Sequence, residues 1–263
     1  MRMVAAILAA LALPAGAAQI APDALGSISA PIVVLGEVHD NPVHHLNQAR
    51  VVLALKPRAL VFEMLTPEQA ARALPGADAA SLGKALGWEA GGWPDFAIYY
   101  PIFAAAPGAA IYGAALPRAD VRRAMTEGPA AVFGADAARF GLGADLPPAD
   151  QAAMEAEQMR AHCDALPPAM LPGMVAAQRL RDAAFARATL AALEETGGPV
   201  ALITGSGHAR TDRGVPAVLR AAAPDVAVVA LGQVEAPAEA DQPFDLWIVT
   251  DPSPRPDPCA AFR

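Results

Sequence analysis

The chain predicts an α/β fold: a central, mostly parallel sheet flanked by helices, with a helical subdomain inserted before the C-terminal strands. Three observations carry this reading. Apolar runs such as PIVVLG, ALVF and PVALITG have the continuous hydrophobicity of strands buried on both faces, the mark of parallel sheets. These runs alternate with helical segments at both ends of the chain. Between roughly Leu146 and Thr196 strand signal is absent and helical periodicity takes over.

The chain opens on a segment that does not belong to the fold. MRMVAAILAALALPAGAAQ has an early Arg2, an apolar stretch from Met3 to Leu13, a break at Pro14 and small residues fitting an Ala-x-Ala site at Ala15 to Ala17. Residues 1–18 therefore read as a secretory signal peptide. The apolar stretch is shorter than the about 20 residues a spanning helix needs, and no cysteine follows it to accept a lipid. The expectation is an exported, soluble periplasmic protein whose mature chain, residues 19–263, has no transmembrane segment and forms one α/β domain with a helical insertion at about 146–196.

In order, the mature chain reads as a strand from Pro31 to Leu35, a helix from about Pro42 to Leu55 and a strand from Ala59 to Phe62. Asn41 before Pro42 is a helix start, because Asn caps orphan amides and Pro suits the first helical position. Thr66, Pro67 and Gln69 repeat the signal as a capping box. Ala109 to Ala114 is a third strand, followed by a helix from Pro117. The helical middle breaks at Leu166-Pro167-Pro168 and again near Pro172-Gly173. Its methionines, Met154, Met159, Met170 and Met174, serve as core filler or as a soft lining for an apolar ligand. Strand Val200 to Thr204, a helix from about Gly214 to Ala222, strands Val226 to Leu231 and Phe244 to Val249, and an irregular tail from Pro252 to Pro258 complete the chain.

Composition narrows the function. Hydrophobic residues make up 54% of the chain, enough to fill a sizeable core, while aromatics are only 5%, so helices pack closely on Ala. A formal net charge of -8 argues against a nucleic-acid partner, which needs clustered Lys and Arg. Two cysteines, Cys163 and Cys259, cannot alone build a zinc finger or an iron–sulfur cluster. After export they can pair, although spacing does not decide between a bridge and two free thiols.

Chemistry gathers at the carboxyl ends of the expected strands, where open α/β sheets bind their ligands. GEVHDNPVHH places Glu37 and His39 after one strand, with His44 and His45 in the first turn of the next helix. There the positive helix end favours neutral imidazole, the form that binds metal or acts as base. Glu63 ends a second strand, where a carboxylate is costly unless paired, protonated or metal-bound. GSGH places His208 after a third, and its flank Arg210, Thr211, Asp212 and Arg213 adds donors, from the arginines and the threonine, for a carboxylate or phosphate. One polar site assembled from residues roughly 170 positions apart is the expectation. His39, His45, Glu63 and His208 are its candidate metal ligands, and Glu37, His39, Glu63 and His208 its candidate catalytic set.

GEVHDNPVHHLNQ, VFEML, WPDFAIYYPIF, IYGAALPR, LPGMVAAQRLRDAAFA and TGSGHARTDRGVP together resemble the ChaN-like haem-binding uptake proteins of the Tiki/TraB/erythromycin-esterase superfamily. The resemblance implies a parallel α/β fold with a helical subdomain, haem as cofactor and partner, and a homodimer enclosing haem between subunits. It maps the superfamily's polar site onto Glu37, His39, Glu63 and His208, and adds Tyr99 in a Tyr-x-Pro pattern and Gln178 with Asp182 on one helix face. The haem reading that follows takes Tyr99 or Tyr100, or a histidine, as axial ligand. Met170, Leu171, Met174 and Phe103 form the porphyrin faces, and an arginine such as Arg210 meets a propionate. The alternative is a metal-dependent hydrolase, an esterase or peptidase, with a divalent metal on the histidines and Glu63 or Glu37 as base. Family members are often lipoproteins, and this leader lacks their lipidated cysteine.

Overall fold

The computed structural model describes residues 17–262, so nearly all of the expected signal peptide, residues 1–18, lies outside the described residues. Among the described residues one sheet runs in the order β1-β7-β6-β2-β5-β3-β4, with every neighbouring pair parallel. Its strands are β1 (Ala18–Gln19), β2 (Ile32–Glu37), β3 (Ala59–Phe62), β4 (Ala110–Gly113), β5 (Val200–Gly205), β6 (Val228–Glu235) and β7 (Leu246–Thr250). The helices are α1 (Pro42–Leu55), α2 (Pro67–Ala70), α3 (Ala79–Leu86), α4 (Phe96–Ala105), α5 (Arg118–Glu127), α6 (Pro129–Phe133), α7 (Pro148–Ala161), α8 (Leu171–Thr196) and α9 (Val215–Ala222).

The continuous apolar runs form a parallel sheet because each strand feeds two cores. Successive side chains point to opposite faces, so Ile32, Val34, Val61 and Leu202 pack among residues of α5, α6, α8 and α9. Their neighbours Val33, Leu35, Leu60, Phe62, Ala201 and Ile203 pack instead with α1, α3 and α4. Helices cover both faces, as an all-parallel sheet requires.

Local signals decide the starts. Asn41 caps α1, its side chain accepting from the Val43 N–H, and Pro42 occupies the first turn. The capping box at Thr66 and Gln69 is present at α2. β6 begins at Val228 but runs to Glu235, past the apolar stretch. Its polar Gln233 is wholly buried, with the side-chain amide donating to the carbonyls of Gly36 and His44.

No strand interrupts residues 146–196, which hold α7 and α8. α8 is itself a covering layer, packed on β3, β4 and β5, with α5, α6 and α9 beside it. α7 rests chiefly on α8. Its far end is joined by the Cys163–Cys259 disulfide to the C-terminal tail. That tail is fastened by Arg255, which pairs with Asp40 at 2.7 Å and with Glu235 at 2.6 Å. Among the described residues no helix is long and apolar enough to cross a membrane.

Candidate functional site

The two glycine-histidine turns lie side by side. β2 and β5 are neighbours, in a register that sets Gly36 opposite Thr204 and Glu37 opposite Gly205. β3 flanks β5, and the Glu63 N–H donates to the Ile203 carbonyl. Glu37, Glu63 and the Gly205 turn therefore occupy the carboxyl ends of three adjacent central strands. Gly205 has a steric reason to be glycine: an added Cβ would stand 3.0 Å from His39 Nε2.

Glu37 anchors the site from below. It is almost fully buried, and its Oε1 accepts from His39 Nδ1 and from the Tyr99 hydroxyl, each at 2.8 Å. Its Oε2 accepts from Gln48 Nε2 at 2.8 Å and lies 3.3 Å from His45 Nδ1. Burial alone would raise its pKa, but the His39 and His45 hydrogen bonds and charges outweigh that and hold it at about 2. Tyr99 moves the other way: burial and the neighbouring Glu37 carboxylate push its phenol pKa up strongly, so it stays a donor.

Glu63 sits between two imidazoles. Its Oε2 accepts from Thr204 Oγ1 at 2.6 Å and from the Gly205 N–H at 2.8 Å. Its Oε1 lies 3.8 Å from both His39 Nε2 and His208 Nε2. Despite burial, His208, His39 and these donors lower its pKa. On His208, Nδ1 is 2.7 Å from Asp182 Oδ1 and 3.1 Å from Gln178 Nε2, which fixes the ring and aims Nε2 at Glu63. Burial works against protonation of His208, yet the Glu63 and Asp182 carboxylates prevail and raise its pKa. His39 is raised in the same way, against burial, by Glu37 and Glu63. Its ring leans on Trp93, with centroids 4.9 Å apart.

Two cavities meet at Glu63 and His208. One, of about 780 Å³, is bounded by Glu37, His39, Glu63, Asp182, His208 and, across from them, α7 with His162. The other, of about 540 Å³, lies toward Trp93, Phe185, Arg118 and Arg181.

The structure thus brings together Glu37, His39, Glu63 and His208, with Gln178 and Asp182 behind His208. Other expected residues stand elsewhere, for physical reasons. His45 is fully buried with both ring nitrogens engaged, Nδ1 near Gln48 and Glu37 and Nε2 3.0 Å from the His39 carbonyl, which leaves no lone pair for a metal. Tyr99 is a buried strut under Glu37, while the Tyr100 hydroxyl donates to the Ala77 carbonyl at 3.1 Å; neither lines the two cavities. Met170 is exposed and Met174 half-buried, again off both. Phe103 stacks on Phe62 in the core, and Arg210 is taken by Asp212 at 2.7 Å. Among the described residues no three His, Cys, Asp or Glu side chains group to hold a metal ion. Sequence reasoning missed Thr204, Gln48, Trp93 and His162. A polar residue closing an apolar strand marks Thr204, and Gln48 lies one turn beyond His45; the other two carried no local signal.

An open parallel α/β domain with carboxylates and imidazoles converging beyond its central strands is built to receive a ligand at that edge. The chain belongs to the family described as haem-binding uptake, Tiki superfamily, ChaN, whose model matches residues 28–219. A solved structure of ChaN of Campylobacter jejuni, with cofacial haem, shares the fold at a TM-score of 0.61 and 19% identity, over 85% of this chain and 88% of that one. The type III effector HopBA1 aligns over 88% of this chain and 92% of its own at 12% identity and a TM-score of 0.43. Curated proteins yield no match.

Proposed function

We propose that this protein is an exported haem-binding protein of haem or iron uptake, taking the porphyrin into the cavity of about 780 Å³ beside His39, Glu63 and His208. The observation that carries the reading is this cavity, of small-ligand size, opening on the turns that the family match spans. Toward haem the lining is divided, because four carboxylates, Glu37, Glu63, Glu157 and Asp182, share it with the groups that would favour a porphyrin. Val38, Met154 and Ala161 offer apolar or soft surface, His39, His162 and His208 offer imidazole nitrogens, and Arg213, shared with Glu157, stands at the cavity wall for a propionate. Haem, when bound, would supply an iron that such nitrogens could ligate. Removal of a leader near residue 18 and pairing of two subunits around haem belong to the same proposal.

Haemin added to the purified protein at micromolar concentration is expected to give a saturable Soret shift. A spectrum that grows linearly with haemin, without saturation, ends the proposal.

A second reading rests on one feature: Asp182 holding His208 Nδ1 while Nε2 faces Glu63 is the orienter and base arrangement of hydrolases. It predicts turnover of activated esters or peptides that His208→Ala abolishes, with metal analysis of the purified protein deciding whether an ion takes part. Haemin saturation without turnover of any such substrate removes it.

A further inference from the structure

We infer that the cavity of about 540 Å³ is a binding site for a small amphiphilic anion, whose carboxylate or phosphate group is held by Arg118 and Arg181 while its apolar body lies against Trp93. The inference stands apart from both readings above and needs neither haem nor turnover.

Charge separates the two cavities. Four carboxylates line the larger one, Glu37, Glu63, Glu157 and Asp182. The smaller has Glu63 as its one acidic side chain among the described residues, and two guanidinium groups besides. Glu63 is already satisfied, its Oε2 accepting from Thr204 Oγ1 and the Gly205 N–H. The arginines are not. The side chains of Arg118 and Arg181 make no hydrogen bond and no ion pair among the described residues, and Asp182, next to Arg181 in sequence, feels its charge without pairing with it. Elsewhere Arg123, Arg213, Arg220 and Arg255 are each taken by a carboxylate. In a chain of net charge -8, two unpaired guanidinium groups on one cavity mark a place where the anion comes from outside. Their planar fork of donors matches carboxylate and phosphate oxygens alike. The start of α5 adds to the same field: Pro117 and Arg118 line the cavity, and no side chain caps the helix's first amides, whose dipole favours an anion.

The remaining lining is largely apolar. Leu116, Val121 and Phe185 lie on it beside Trp93. The Trp93 indole N–H donates to the Met64 carbonyl at 3.1 Å, so its polar group is spent within the protein. Gly91 makes room for this ring, since an added Cβ would stand 2.7 Å from Trp93 Cδ1. A volume of about 540 Å³ falls within the range of small-molecule pockets. A bare inorganic anion would leave the apolar walls unused, and a neutral apolar molecule would leave both guanidinium groups unanswered. A molecule with both parts satisfies the whole lining.

The test titrates the purified protein with naphthoate, naphthyl phosphate and the uncharged naphthyl methanol by isothermal titration calorimetry. Wild type should bind at least one of the two anions saturably and roughly 10-fold or more tighter than the alcohol, and the tighter anion identifies the headgroup. Arg118→Gln and Arg181→Gln should each weaken the anion by roughly 10-fold and leave the alcohol unchanged, a pattern that a general packing defect does not give. Trp93→Ala should weaken all three probes together. If Arg181→Gln does not fold, the exposed Arg118→Gln decides. Equal affinity of wild type for anion and alcohol, unchanged anion affinity in either folded arginine variant, no loss in Trp93→Ala, or no binding of any probe overturns the inference. Haemin titration is a separate measurement, so the haem reading stands or falls independently.

Discussion

Replacing Cys163 and Cys259 together with serine is expected to cost about 4 kcal/mol of unfolding free energy, read as a lower urea midpoint with a steeper slope. The bridge spans a sequence separation of 96, and in the chain-entropy account a loop of that length withholds between 4 and 5 kcal/mol, approximately, of freedom from the unfolded chain. Against a typical total of about 5–15 kcal/mol this is a large share. Reduced wild-type protein should match the serine pair. Equal midpoints for bridged, reduced and substituted protein would show that the crosslink constrains nothing.

Acid should find the site through Glu37. Its carboxyl titrates at about 2 in the folded protein against an ordinary 4.5, a difference corresponding to about 3 kcal/mol. The folded pKa is the depressed one, so the contribution is complete above pH 4.5 and is lost as pH falls toward 2. Glu37→Gln should therefore be less stable than wild type at neutral pH, and the gap should close on acidification. Glu37→Ala should be worse, by about 3–5 kcal/mol, because His39 Nδ1, the Tyr99 hydroxyl and Gln48 Nε2 all lose their buried acceptor. Urea unfolding between pH 2 and 7 measures this. Parallel pH profiles for wild type and Glu37→Gln would mean that the carboxylate is not the titrating group.

Much of the site was legible because strand ends announce themselves. Glu37, Glu63 and His208 each close an apolar run, and parallel pairing brings such ends to one edge whatever their separation in sequence. Helix α1 was equally legible, since Asn41 and Pro42 are local signals. Helix α4 was not. Its apolar residues surround the axis without a face, and Pro101 lies inside it, so neither periodicity nor a breaker rule found it. For that reason Tyr99 read as an available phenol, although α4 carries it into the core beneath Glu37. His162 was invisible for a different reason. It follows the end of α7, and no nearby residue records that α7 lies across the cavity from the strand ends.

The cavity's two sides differ in how they can yield. On one, β2 and β5 lie mid-sheet between hydrogen-bonded neighbours, where amides exchange only as the whole domain opens. On the other, α7 leans chiefly on α8, with the disulfide just beyond its end and Glu157 pairing with Arg213 and Arg210. Local opening of the cavity therefore falls to the α7 side, where fewer contacts must break, while the charged groups at the strand ends stay in register.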